Sequence, residues 1–116
     1  MGLFSKKKKE TNQAAETFLK VSVSNSGKEY TFNVEGRLDT NTSPDLEAKI
    51  NEAADDAEKM IFDLEKLEYI SSAGLRVLLG AAQIMEEKGE MDVINVTQAV
   101  REIFDLTGFN RVFNII

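Results

Sequence analysis

Residues 59–96 read KMIFDLEKLEYISSAGLRVLLGAAQIMEEKGEMDVINV, and the spacing of their apolar residues changes twice along the way. Lys59 to Leu64 is a short apolar run of strand length. From Ser72 to Lys88 the chain carries Leu75, Leu78, Leu79, Ala82 and Met85 as one stripe, widened by Val77, Ala81 and Ile84. That is the period of a helix with a broad buried face. Gly89 is placed to stop this helix in a left-handed conformation, and Met91 to Val96 returns to strand spacing. Strand, helix and strand within about 38 residues predict a βαβ unit with parallel strands and a right-handed crossover.

The flanks extend this unit in both directions. Phe18 to Ser24 alternates apolar and polar residues, Asn25–Lys28 supplies a turn, and Lys28 to Glu35 alternates again with Tyr30, Phe32 and Val34 on one face. These features predict a β-hairpin. Ser43–Pro44 then marks a helix start, with serine as the cap and proline where no N–H is needed. Leu46, Ile50, Ala53, Ala54 and Ala57 carry that helix over about 44–57, with Asp45 and Glu47 near its positive end. After the βαβ unit, Thr97 caps a helix over Gln98–Leu106, Gly108 stops it, and residues 109–116 form a hydrophobic end suited to an edge strand. The predicted fold class is α/β: a mixed sheet of about four to five strands, covered mainly on one side by helices.

Composition bounds the function. The 116 residues suit one domain with a single core. The chain has no cysteine and no histidine, which removes disulfides and thiol chemistry together and fits a reducing cytoplasm. No segment has the apolar length of a membrane span or of a secretory leader, so a cytoplasmic location is expected. Lys6 to Lys9 against Glu10 give the first ten residues a formal charge of +3; of the net −6, the rest therefore carries −9. An acidic body disfavours nucleic acid. Residues 1–16 are expected to form a basic, disordered tail, with Lys6–Lys9 offering weak contact to an anionic membrane, and residues 17–116 to form the folded domain.

The segment Tyr69 to Arg76, YISSAGLR, sets two hydroxyls at a helix start. Without histidine, Ser71 and Ser72 have no Ser-His-Asp relay, and Ile70 stands where a nucleophile elbow requires glycine. Gly74 and Gly80 form neither a Walker loop nor a dinucleotide fingerprint. Asp39, Asp63, Glu65 and Glu68 lack the spacing of a calcium loop. No catalytic residue, metal site or cofactor is predicted. Two readings of the serines remain: an N-cap worth about 1 kcal/mol, and a phosphorylation site whose dianion the helix start would stabilise.

The run LEKLEYISSAGLRVLLGAAQIMEEKGEMDVINVTQAVREIFDLTGFNRVF, preceded by FNVEGRLDTNTSPDLEAKI, resembles a STAS domain of the anti-sigma factor antagonist family over about residues 17–116. The resemblance rests on the Gly36-Arg37-Leu38-Asp39 turn, the ISSAGLR turn and the LTGFNRVF ending, in that order. It implies a non-enzymatic regulator that binds an anti-sigma factor, usually a serine kinase of the GHKL ATPase type, and so releases a sigma factor. The resemblance further implies that the kinase phosphorylates a serine at the start of this helix and that a phosphatase reverses it. Aligned with the family motif Asp-Ser-Ser/Thr-Gly-Leu, Ser72 takes the acceptor position, Ala73 removes the second hydroxyl, and Ser71 replaces the aspartate. Ser72 is therefore the expected acceptor and Ser71 the fallback. The expected partner surface comprises Ser71, Ser72, Gly74 and Arg76 with a loop holding Gly36, Leu38, Asp39 and Thr40, on a monomer or weak dimer. The family also includes accessory subunits of lipid or anion transport systems and scaffold modules that are not phosphorylated.

Overall fold

The computed structural model describes residues 18–116; the basic tail, with its expected disorder and membrane contact, lies outside the described residues. Strand β1 (Leu19–Ser26) and β2 (Glu29–Leu38) form the predicted antiparallel hairpin through a tight turn at Gly27, whose φ is +61°. Helix α1 (Ser43–Ala54), β3 (Lys59–Asp63), β4 (Leu67–Ile70), α2 (Ser72–Lys88), β5 (Glu90–Ile94), α3 (Gln98–Thr107), a 3-10 turn (Phe109–Arg111) and β6 (Asn114–Ile115) follow. The sheet runs β1-β2-β3-β5-β6, and β3, β5 and β6 add parallel to β2 and to one another.

The sheet has six strands, because Leu67–Ile70 pairs parallel with Gly36–Leu38 as a continuation of the β3 lane. This corrects the expected turn at Gly36–Asp39. With β1 bonded on one side and β4 on the other, β2 stays extended to Leu38, so only Asp39 and Thr40 of the proposed loop lie in a loop. The register slips between Gly36 and Arg37, and Gly36 sits at φ +104° with its Cα against the Phe18 carbonyl, where a side chain has no room. Arg37 stacks over the Tyr69 ring at 4.4 Å, covering the slip.

Alternation places Phe32, Val34 and Leu38 of β2, Met60 and Phe62 of β3 and Val93 of β5 on the buried face. Phe32 stacks on Phe62 at 4.8 Å between ring centroids. Leu46, Ile50 and Ala53 of α1, Leu75, Leu78, Ala81 and Met85 of α2, and Val100 and Phe104 of α3 close this core. Helix α1 ends at Ala54, earlier than its apolar spacing suggests. Asp55 and Asp56 oppose the negative end of the helix dipole, and Tyr30 Oη donates to Asp56 Oδ2 at 2.7 Å, drawing that residue to the hairpin.

Gly80 lies mid-way along α2, and a methyl added there meets nothing within 4 Å. Gly80→Ala should raise the unfolding free energy by about 0.5–1 kcal/mol by reducing backbone freedom in the unfolded chain; urea denaturation of the two forms checks it.

Candidate functional site

The C-terminal ends of β2 and β4 bring Asp39–Thr40 and Ser71–Ser72 to one end of the sheet, where Ser71 N–H donates to the Leu38 carbonyl at 2.9 Å. Ser71 is the N-cap of α2: its backbone is extended and its Oγ accepts from Gly74 N–H at 3.3 Å. Ser72 is the first helical residue and is exposed. The two hydroxyls thus have separate surroundings, one half-buried and used by the helix, the other open to solvent. Ser71→Ala should cost about 1 kcal/mol, seen as a fall in Tm of about 4 °C, whereas Ser72→Ala should stay within about 0.5 kcal/mol of the parent.

The proposed contact residues divide by exposure. Thr40, Ser72 and Arg76 are exposed, and Asp39 and Ser71 are half-buried. Leu38 has no exposed surface, and Gly74 is buried with its Cα against Leu38 and Ile70, so that a Cβ there would lie 2.8 Å from both side chains. Gly36 is buried in the strand. Gly36, Leu38 and Gly74 therefore lie beneath the surface and pack under its exposed residues.

The Asp39 loop is tied from within. Asp39 Oδ1 accepts from the backbone N–H groups of Asn41 at 3.0 Å and Thr42 at 3.1 Å. Thr42 Oγ1 accepts from Asp39 N–H and donates to the Arg37 carbonyl. Ser43, expected as a cap accepting from first-turn amides, instead donates its hydroxyl to the Asp39 carbonyl at 2.6 Å, and the helix begins at Ser43 itself. These bonds make the loop a fixed wall beside α2.

Two grooves flank the first turns of α2, and Arg76 borders both. The groove toward α1 is about 350 Å³ and of mixed polarity, lined by Thr40, Ser43, Glu47 and Val77. The groove toward α3 is about 440 Å³ and mostly apolar, lined by Tyr69, Leu75, Ile103 and Phe109, with Ser72 at its edge. Among the described residues Arg76 takes part in no ion pair. Ile103 and Phe109 were not singled out from sequence; the usable signals were the apolar spacing of α3 and the LTGF ending, which returns the chain to the α2 start.

The protonation shifts lie at the other end of the parallel strands. The bond to Asp56 raises Tyr30 and lowers Asp56, and the Asp92 carboxylate raises Lys59. No group of three or more acidic, cysteine or histidine side chains able to hold a metal occurs among the described residues, and none of their helices is long and apolar enough to cross a membrane.

The STAS domain family model matches residues 20–116. The putative anti-sigma factor antagonist BtrV of Bordetella bronchiseptica is 37% identical over 84 residues, spanning 71% of this chain and 72% of that protein. An anti-sigma factor antagonist from Mycobacterium paratuberculosis superposes with a TM-score of 0.77 at 25% identity, covering 84% and 85% of the two chains. The anti-sigma factor antagonist SpoIIAA in its unphosphorylated form gives a TM-score of 0.72 at 20% identity, covering 85% and 88%. The same Bacillus cell-fate determinant is matched in its phosphorylated form.

Proposed function

This chain belongs to the STAS domain family, and we propose on that premise that it acts as an anti-sigma factor antagonist: a cytoplasmic, non-enzymatic module that binds an anti-sigma factor and so frees a sigma factor. The names of its relatives support the function. In this reading the partner is a GHKL-type serine kinase that docks on the α2 start and the Asp39–Thr40 wall. It phosphorylates Ser72 to end its own binding, and a phosphatase restores the free serine.

The observation that carries the reading is the division of labour between the serines. Ser71 caps α2, which leaves Ser72 exposed at the helix start without structural duties. A phosphate on Ser72 would lie near the first-turn N–H groups, where negative charge is favourable. It would sit at the mouth of the apolar groove, one helical turn before Arg76. The fold can then survive modification while the docking surface gains negative charge. Incubation with the cognate kinase and ATP, followed by peptide mass spectrometry, tests this: one phosphate on Ser72 is the expected result, and phosphate on Ser71, elsewhere or nowhere contradicts it.

A further inference from the structure

The two edges of the sheet are unequal. β6 is two residues long, but β1 is eight residues long with β2 as its one strand neighbour among the described residues. The Phe18 carbonyl accepts from Arg37 N–H at 2.9 Å, so the antiparallel register makes Lys20, Ser22 and Ser24 the residues that exchange bonds with β2. The N–H and C=O groups of Leu19, Val21, Val23 and Asn25 therefore point outward from the free edge. Strands left this way are usually shortened, bulged, or interrupted by proline or several charges, because they template pairing with another chain. β1 has one charge, Lys20, and no bulge or proline. Two of the large exposed apolar side chains of the described residues, Val23 at 40% and Phe18 at 44%, also lie at this edge.

We propose that the β1 edge pairs antiparallel with β1 of a second copy of this chain, forming a two-fold symmetric dimer centred on Ser22. In that register Val21 faces Val23 of the second copy and Leu19 faces Asn25, and each of these pairs joins outward N–H and C=O groups reciprocally. The valines meet on the core face, extending the apolar surface across the junction. On the other face Lys20 lies opposite Ser24 of the second copy, so no like charges confront one another. In a chain of net charge −6, β1 contains no acidic residue, and two acidic molecules approach there with little local repulsion. One strand pair is a small contact, which makes the dimer reversible, and the α2 start on each copy is not part of it.

Analytical ultracentrifugation of the full chain over a wide concentration range tests the proposal. The mass should rise from 12.9 kDa toward twice that value. Val21→Pro removes an outward N–H while sparing the β1–β2 bonds, and should weaken dimerisation at least ten-fold. Ser22→Lys, at an exposed position on the open face, opposes two charges at the symmetry centre and should do the same if the proline variant fails to fold. Ser22→Cys supplies the only thiol of the chain. Paired residues at the centre, about 4.5 Å apart between Cα atoms, lie within disulfide reach, so this variant should cross-link in preference to Ser24→Cys. Three results overturn the proposal: a monomer at every concentration; a dimer that survives both Val21→Pro and Ser22→Lys; or cross-linking no better at Ser22 than at Ser24.

Discussion

Gly89→Ala should be the most damaging single-methyl change in the protein, lowering the unfolding free energy by about 3 kcal/mol, at the upper end of the usual cost of overpacking. The spacing of α2 suggests a left-handed glycine at its end, but Gly89 has φ 164° and ψ −121°, outside the left-handed region. Its requirement is steric. A Cβ there would run into the carbonyl oxygen of Glu58, with the Glu58 carbonyl carbon at 2.8 Å. That carbonyl accepts from Glu90 N–H at 3.2 Å, while Glu58 N–H donates to the Lys28 carbonyl at 2.9 Å. A methyl on Gly89 must therefore displace the backbone entering β3 and β5 together, with no flexible side chain to yield. Chemical denaturation of Gly89→Ala beside Gly80→Ala gives opposite signs for the same added group. Equal effects would show that the crowding at Gly89 relaxes cheaply.

Ser72→Asp should weaken capture of the anti-sigma factor about 100-fold, the equivalent of about 2.7 kcal/mol, and leave folding intact. A carboxylate at the first position of α2 is favoured by the helix dipole, so stability should hold or rise slightly. Across an interface the same charge would be desolvated beside Tyr69, Leu75 and Phe109, a position where an unpaired charge costs a few kcal/mol. Ser71→Asp is the informative contrast. Aspartate is as good an N-cap as serine, and it points toward Gly74 N–H instead of outward. That variant should keep its Tm and lose less than about three-fold in binding. A pull-down series of the two variants against the parent separates a charge effect at Ser72 from general disturbance of the turn; equal losses in both would place the sensitivity in the turn itself.

Much of the fold was legible from sequence because its long elements have one dominant period. The hairpin, the βαβ unit, the Thr97 cap and the Gly108 stop all stand where spacing and turn residues place them, and Gly108 is left-handed at φ +83°. The strand Leu67–Ile70 was not legible. Four residues with a charge among them and the Glu65–Lys66 turn before them look like a loop, and only pairing with Gly36–Leu38, about thirty residues earlier, makes them a strand. The same long-range pairing hid the burial of Gly36 and Leu38. Sequence alone cannot distinguish a glycine that bends a loop from one that lets β2 pass beneath Phe18. At the site, the helix start was readable from YISSAGLR, but the assignment of cap and exposed hydroxyl between two adjacent serines needed the backbone of Ser71. The groove residues Ile103 and Phe109 were hidden because they reach Ser72 through tertiary packing alone.

In the proposed switch, negative charge on Ser72 ends binding of the anti-sigma factor. Calorimetric titration of the purified anti-sigma factor with unmodified protein and with protein stoichiometrically phosphorylated on Ser72 tests it most directly. The unmodified form should bind tightly one-to-one and the phosphorylated form at least about 100-fold more weakly, both having the same far-UV circular dichroism. Equal affinity of the two forms would contradict it.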